Sequence, residues 1–171
     1  MGRAGRIYRK LRAGFVDRPA FFTWLDDGVL SASSLPSSEK QVAWLARSGV
    51  KTILTLTEDP LPSEWLERNQ IKGVHIAMSD HLGPSINELK EAVALIKSEL
   101  SSGRAVHVHC LAGKGRTGTV LAVFLAENRG LSIKEAIQFL RSKRPGSVEF
   151  LQEKFLLQHE KDLDELQGRR K

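Results

Sequence analysis

A strand, a glycine-rich loop and a helix follow one another within residues 105–119, and this combination constrains the fold more than any other part of the chain. The segment reads AVHVHCLAGKGRTGT. Apolar residues alternate with histidines over 105–109, which predicts a strand, and the apolar residues after Gly118 follow a helical period. A loop at such a junction presents backbone N–H groups and the positive end of the helix dipole. We therefore expect this loop to bind an oxyanion.

Two side chains in the loop indicate what is done with the bound anion. Arg116 follows Cys110 by six residues, and a guanidinium can pair with two oxygens of a phosphate or sulfate. A helix N-terminus and a guanidinium both stabilise a thiolate, so Cys110 is predicted to be a nucleophile aimed at phosphorus. Thr117 is expected to donate its hydroxyl to the sulfur when a phosphocysteine is hydrolysed. We interpret His109 as an orienting hydrogen-bonding group rather than a base.

The motif His109-Cys110-x5-Arg116-Thr117-Gly118 resembles the signature of the cysteine-dependent protein-tyrosine and dual-specificity phosphatases, His-Cys-x5-Arg-(Ser/Thr). The similarity is closest to the small atypical, archaeal-type dual-specificity members. It implies a phosphomonoester hydrolase with a phosphocysteine intermediate, no metal and no cofactor. The phosphate-binding residues are then expected to be Leu111, Ala112, Gly113, Lys114, Gly115 and Arg116.

Predicted strands alternate with predicted helices along the rest of the chain. Strands are expected on either side of the turn Asp26-Asp27-Gly28 and over 50–56, 71–76 and 105–109. Helices are expected at 38–48, 63–69, 86–100, 117–128, 132–141 and 148–166, with Ser85 and Glu88 forming a capping box. The alternation predicts an α/β fold with a mainly parallel central sheet of four to five strands flanked by helices. The site then lies at the carboxyl ends of the strands.

The loop after the strand at 71–76 is expected to supply the proton for the leaving oxygen. Within it, His75-Ile76-x3-Asp80-x3-Pro84-Ser85 resembles the segment in which the family carries its general-acid aspartate. Asp80 is therefore the predicted acid, and Asp59 and Glu149 are the alternatives. A surface aspartate that only caps a turn is the other interpretation of Asp80.

The turn over 143–149, KRPGSVE, resembles the Arg-Pro-Gly-(Ser/Ala)-(Ile/Val) turn of the same subgroup. We interpret it as mainly structural, with Arg144 adding positive field. In relatives a glutamine a few residues further on often lies near the phosphate loop and positions water. Gln152 is the corresponding candidate, in a segment that is one residue shorter here.

Basic residues are concentrated at the two ends of the chain. Residues 1–18 hold six basic residues and one acid, and the last three residues are all basic. Basic ends on a mildly acidic body do not indicate nucleic-acid binding. Ile7, Leu11 and Phe15 recur at steps of four and predict a basic amphipathic helix. It either packs on the domain or contacts an anionic membrane surface; a resemblance to a transit peptide is the third alternative.

These features together predict an extension over 1–18, a phosphatase domain over 19–166 and a basic tail over 167–171. One cysteine and the lack of a membrane-spanning apolar run predict a soluble cytoplasmic protein. The expected substrates are phosphotyrosine, phosphoserine and phosphothreonine in proteins.

Three other functions stay open at this point. Ala112-Gly113-Lys114-Gly115-Arg116 matches the inner loop of the tumour-suppressor phosphoinositide phosphatase, which suggests a phosphoinositide or phospholipid substrate. The remaining alternatives are a phosphate-binding module without catalysis and a sulfurtransferase.

Overall fold

A five-stranded sheet forms the centre of the computed structural model, which describes residues 17–79 and 84–164. The strands are β1 (Thr23–Asp26), β2 (Leu30–Ser34), β3 (Thr52–Thr55), β4 (Lys72–His75) and β5 (Val106–Cys110). They lie in the order β1-β2-β5-β3-β4. β1 pairs antiparallel with β2, and the pairs β2–β5, β5–β3 and β3–β4 are parallel. The predicted mainly parallel sheet is confirmed.

Strand β5 is the middle strand of the sheet, and all five of its residues are buried. Ser34 of β2 pairs with Cys110, and Thr55 of β3 pairs with His109. Parallel strands end at the same edge of a sheet, so the segments that follow β2, β3, β4 and β5 meet around Cys110. This register brings together residues that are far apart in the sequence.

The helices cover both faces of the sheet. They are α1 (Glu39–Arg47), α2 (Ser63–Arg68), α3 (Ile86–Ser101), α4 (Gly115–Arg129), α5 (Ile133–Lys143), α6 (Phe150–Gln158) and α7 (Glu160–Asp164). The capping box of Ser85 and Glu88 at the start of α3 is confirmed, and Ser132 and Glu135 form a second one at the start of α5. Each box satisfies backbone donors that the first helical turn leaves unpaired.

Helix α4 is the buried helix of the larger core cluster, where it packs against α3 and α5. Its residues from Gly115 to Ala126 are buried. Full burial of each Leu, Val or Phe in such a helix contributes about 1.5–3 kcal/mol. A second cluster, with Val42, Leu45 and Ile53 at its centre, joins α1 to the other face of the sheet. The start of α4 is therefore held in place by packing on all sides.

The carboxyl-terminal helical region and the start of α4 differ from the sequence-based expectation. The single helix predicted over 148–166 is wrong: α6 and α7 are separate, because His159 leaves the helical conformation at φ −107°. The helix predicted to begin at Thr117 begins at Gly115, so Arg116 belongs to its first turn. Because the helix starts two residues earlier than predicted, the Arg116 side chain extends from the amino-terminal end of α4.

Several sequence-based expectations fall outside the described residues. These are the general acid Asp80, the amphipathic pattern of residues 1–16 and the basic tail over 167–171. Among the helices that the structure describes, none combines the length and the apolar character needed to cross a bilayer.

Candidate active site

Cys110 is the last residue of β5 and is buried at the floor of the following loop. The backbone N–H of Gly113 donates to its Sγ at 3.3 Å. Backbone N–H groups at the amino end of a helix can bind an anion. The sulfur thus faces the glycine-rich loop, as expected for a nucleophile in an oxyanion-binding site.

Gly113 makes backbone hydrogen bonds on both sides of the loop. Its N–H points to the sulfur, while its carbonyl oxygen accepts a hydrogen bond from Nη2 of Arg144 at 2.8 Å. Gly113 has φ +73°, and a Cβ at this position would lie 2.3 Å from the carbonyl oxygen of Ser33. Only glycine combines this backbone conformation with this close approach to β2.

Arg144 is completely buried behind the phosphate loop. Its Nη1 donates to the carbonyl oxygens of Phe21 at 2.8 Å and Ala32 at 2.9 Å. Its guanidinium carbon lies 4.2 Å from the centroid of the Phe21 ring. Burial lowers the pKa of Arg144 to about 10, and the electrostatic interaction with Cys110 raises it by a smaller amount. The side chain is therefore charged at neutral pH. Arg144 therefore ties three backbone segments together beneath the loop.

Arg116 is buried at the start of α4 and is held by the ends of β3 and β4. Its Nη1 donates to the carbonyl oxygens of Leu56 at 3.2 Å and Met78 at 3.0 Å, and to Oε1 of Glu58 at 2.9 Å. These bonds fix the orientation of the guanidinium beside the loop. The sequence analysis did not identify this role for Glu58. Its position shortly after β3 could have suggested it, because the site lies at the carboxyl ends of the strands.

His109 is buried behind Cys110, and its Nε2 lies 2.9 Å from Oγ1 of Thr55. The pKa of His109 is lowered to about 3, mainly because the ring is buried. A hydrogen bond with the Cys110 backbone raises this pKa, and the positive charge of Arg116 lowers it further. The imidazole is therefore neutral at physiological pH and a poor proton acceptor. This geometry agrees with an orienting role between β5 and β3.

A second buried histidine, His107, bridges two serines of β2. Ser33 donates its hydroxyl to the Ser34 carbonyl at 2.6 Å, so it accepts from Nε2 of His107 at 2.8 Å. Nδ1 of His107 lies 2.9 Å from Oγ of Ser31, which then donates to it. Burial lowers the pKa of His107 well below its usual value. The neutral ring therefore fixes Ser33, against which Gly113 packs.

Thr117 and Gln152 contribute two buried polar groups near the start of α4. The hydroxyl of Thr117 makes no hydrogen bond with any residue in the described part of the chain. A Cβ at Gly115 would lie 3.1 Å from Nε2 of Gln152 and 3.2 Å from Oε2 of Glu149. Both side chains thus lie against the loop, where Gln152 was expected.

Asp59, an alternative candidate for the general acid, is exposed after β3. Its backbone carbonyl accepts a hydrogen bond from the Thr57 hydroxyl at 2.7 Å.

The loop backbone is attached to its surroundings at further points. The carbonyl of Leu111 accepts from the N–H of Leu35 at 3.3 Å, and the carbonyl of Lys114 accepts from Val148 N–H at 3.1 Å. The Lys114 ammonium lies 5.3 Å from the centroid of the Phe21 ring. Ala112 completes the loop between these attachments. Within 17–79 and 84–164, no group of three or more His, Cys, Asp or Glu side chains is arranged to bind a metal ion.

The sheet is mainly parallel, and the loop after its central strand carries a cysteine and an arginine. This is the arrangement of the cysteine-dependent phosphatases. A family model described as "PTP-SAK: Swiss Army Knife protein, DSP-PTPase phosphatase domain" matches residues 19–156. The chain belongs to this dual-specificity phosphatase family, whose members act on phosphorylated substrates.

Known relatives include phosphatases of two kinds. The chain is 33% identical to the dual specificity protein phosphatase Mpk3 of Drosophila melanogaster over 59% of this chain and 25% of Mpk3. It is 32% identical to the phosphatidylglycerophosphate phosphatase PTPMT2 of Arabidopsis thaliana over 72% of this chain and 57% of PTPMT2. The chain thus spans less than two thirds of either relative. The crystal structure of Tk-PTP in the active form superimposes with a TM-score of 0.74 at 31% identity, over 87% of this chain and 97% of Tk-PTP.

Proposed function

We propose that this chain hydrolyses phosphomonoesters through a phosphocysteine intermediate. The observation that carries the proposal is the backbone N–H of Gly113, which faces Sγ of Cys110 at 3.3 Å, while Arg144 holds the following peptide through the Gly113 carbonyl. A thiolate in a loop of inward-facing amides can attack a phosphorus atom whose oxygens those amides bind.

In the first step the Cys110 thiolate attacks phosphorus in line with the leaving oxygen. The S–P bond forms as the P–O bond breaks, and the loop amides and the Arg116 guanidinium stabilise the charge on the equatorial oxygens. Asp80 gives its proton to the leaving oxygen, so the product leaves as a neutral alcohol or phenol. The sequence resemblance supports this role for Asp80.

In the second step water attacks the phosphocysteine. Asp80, now ionised, takes the proton of the water, the P–O bond forms, and the S–P bond breaks to return the thiolate. The Thr117 hydroxyl donates to the departing sulfur. The position of Gln152 against Gly115 supports a role in holding the water.

The protein-phosphatase form of this proposal takes phosphotyrosine, phosphoserine and phosphothreonine in proteins as substrates. The relationship to Mpk3 supports it. A second substrate class, a phospholipid monoester, is supported by the relationship to PTPMT2 and by Lys114, a cation within the loop. Exposed apolar side chains beside the loop also favour the lipid class.

Turnover of para-nitrophenyl phosphate by the wild type and by Cys110→Ser tests the chemistry. We expect turnover in the wild type alone, with phosphate-analogue binding retained in the variant. Equal turnover in both would remove Cys110 from the mechanism. Binding without turnover in the wild type would indicate a phosphate-binding module, and sulfur transfer from thiosulfate would indicate a sulfurtransferase. A panel of phosphotyrosyl, phosphoseryl and phospholipid substrates then separates the two substrate classes.

A further inference from the structure

The outer surface of α6 carries exposed apolar side chains directly beside the phosphate loop. We propose that this surface, formed by Phe150, Leu151, Lys154 and Leu157 and called here the rim face, contacts an anionic lipid bilayer. The inference extends the proposed function, because it gives the phosphatase site a membrane-bound lipid phosphomonoester as its substrate.

The exposure of these side chains is unusual for their type. Phe150 is 78% exposed, Leu151 62% and Leu157 42%. Two adjacent large apolar residues that both point to water form a patch, unlike the scattered single apolar residues of ordinary surfaces. Such patches mark contact sites.

Helical spacing places the four residues on one side of α6. Lys154 follows Phe150 by four residues and precedes Leu157 by three, so these side chains are neighbours on the helix surface. Gln152 and Leu156 are the buried residues of the same helix and anchor its opposite side. The helix is thus held by its inner side while its outer side is apolar with one lysine.

The rim face begins at the edge of the phosphate loop. Glu149 and Gln152 flank Phe150 and Leu151 in the sequence, and both lie against Gly115. A surface pressed against Phe150 and Leu151 would therefore be next to the mouth of the loop. The phosphate of a lipid lies at the bilayer surface, which suits this placement.

The charges around the rim face suit an anionic surface. Lys154 lies within it and is exposed. Glu153 is paired with Arg141 at 2.6 Å, and Glu149 lies at the edge of the loop against Gly115. Apolar side chains interspersed with lysines are typical of helices that lie in a membrane interface.

A bilayer fits this surface better than a phosphopeptide does. Peptides bind in grooves or along strand edges, where their side chains enter pockets. Phe150 and Leu151 are instead mostly exposed and protrude. A protruding apolar pair can enter a planar lipid surface without any rearrangement of the protein.

Cosedimentation of the full chain with vesicles tests the proposal. Vesicles of phosphatidylcholine with about 30 mol% phosphatidylglycerol are compared with phosphatidylcholine alone. Phe150→Ser combined with Leu151→Ser is expected to lower binding to the anionic vesicles about tenfold. The matched control is Val29→Ser, which is 39% exposed in the turn before β2 and lies at the amino end of β5, away from the loop. Its binding is expected to stay within about twofold of the wild type.

Para-nitrophenyl phosphate turnover measures the chemistry separately, and we expect it to stay within about twofold for both variants, since neither change touches the phosphate loop. Failure of the wild type to bind anionic vesicles would overturn the proposal. Equal binding by the double variant would do the same, and would assign membrane contact to charge alone. A double variant with unchanged vesicle binding but a raised KM for a phosphotyrosyl peptide would assign the face to peptides instead. Vesicle binding without para-nitrophenyl phosphate turnover would reject the phosphatase function and leave the membrane contact standing.

Discussion

Arg144 donates from a completely buried position to the carbonyl oxygen of Gly113 at 2.8 Å, and this bond fixes the peptide between Gly113 and Lys114. The residue whose N–H faces the sulfur is therefore also held from behind the loop. The guanidinium serves three carbonyls at once, which requires a planar fork of donors.

Arg144→Lys keeps the charge but removes this fork, so at least one buried carbonyl loses its partner. Each such loss costs about 1–3 kcal/mol. We expect a lower free energy of unfolding in urea and a kcat for para-nitrophenyl phosphate that falls at least about tenfold, because a misdirected loop amide no longer stabilises the transition state. Lys143→Met, at an exposed neighbouring position, is the control. An unchanged kcat in Arg144→Lys would show that the loop needs no support from behind.

Gly113→Ala should damage the site more than its backbone strain alone explains. The added Cβ would lie 2.3 Å from the Ser33 carbonyl oxygen, so the loop must shift away from β2. Gly103→Ala is the matched control, since Gly103 has φ +71° and open space around it. We expect a loss of kcat of about a hundredfold or more for Gly113→Ala and little change for Gly103→Ala. Similar kcat values for the two variants would argue against the close packing of the loop on β2.

Glu58→Gln tests the support of Arg116 from β3. Two backbone carbonyls still accept from Nη1 of Arg116, so we expect kcat to fall only about three- to tenfold, through looser orientation of the guanidinium. Because the Glu58 side chain is 65% exposed, the loss of stability should stay below about 1 kcal/mol. Glu64→Gln, the same change at an exposed position of α2, controls for the change in charge. A rise in kcat would mean that Glu58 competes with the substrate for Arg116.

Asp80→Asn should slow the reaction in a way that depends on the leaving group. A general acid matters most when the leaving oxygen is basic, so alkyl phosphates should lose about 10²–10⁴-fold in kcat and para-nitrophenyl phosphate much less. Steady-state kinetics on a series of substituted aryl and alkyl phosphates measures this. Equal slowing across the series would indicate another acid, and Glu149→Gln in the same series would then show whether the carboxylate beside Gly115 supplies the proton.

Glu99 predicts how stability changes with pH. Hydrogen bonds from Arg104, then Lys72 and Thr52, hold the pKa of this buried carboxyl well below its ordinary value of 4.5. A lowered native pKa contributes stability that is complete above the unfolded-state pKa and is lost as the pH falls below it. The difference in unfolding free energy between wild type and Glu99→Gln should therefore shrink between pH 7 and about pH 3. Urea unfolding at several pH values measures it, and a difference that stays constant would contradict the ion-pair explanation.

Local patterns in the sequence were sufficient for the central part of the fold. The strand ending at Cys110, the glycine-rich loop and the apolar helix follow one another without interruption over 106–129, and the Ser85–Glu88 capping box spans four residues. Short-range periodicity and capping therefore predicted them. The break at His159 could not be predicted in this way, because no Gly or Pro lies within 150–164.

The supporting contacts of the site depend on chain segments that are distant in sequence. Ser31 and Ser33 meet His107 across more than seventy residues, and Glu58 meets Arg116 across fifty-eight. These contacts exist because β2 and β3 flank β5, and strand order was not predicted from the sequence. Arg144 was interpreted as mainly structural, but its three carbonyl partners became clear only from the fold.

The link between Phe21 and Arg144 has a practical consequence for protein engineering. The Phe21 carbonyl accepts from the guanidinium, and its ring lies beneath both Arg144 and Lys114. A truncated version that starts at the first strand, Thr23, would lack this residue although it keeps every catalytic candidate. Amino-terminal truncations made for crystallisation or expression should therefore retain residue 20 and everything after it, so that Phe21 is kept.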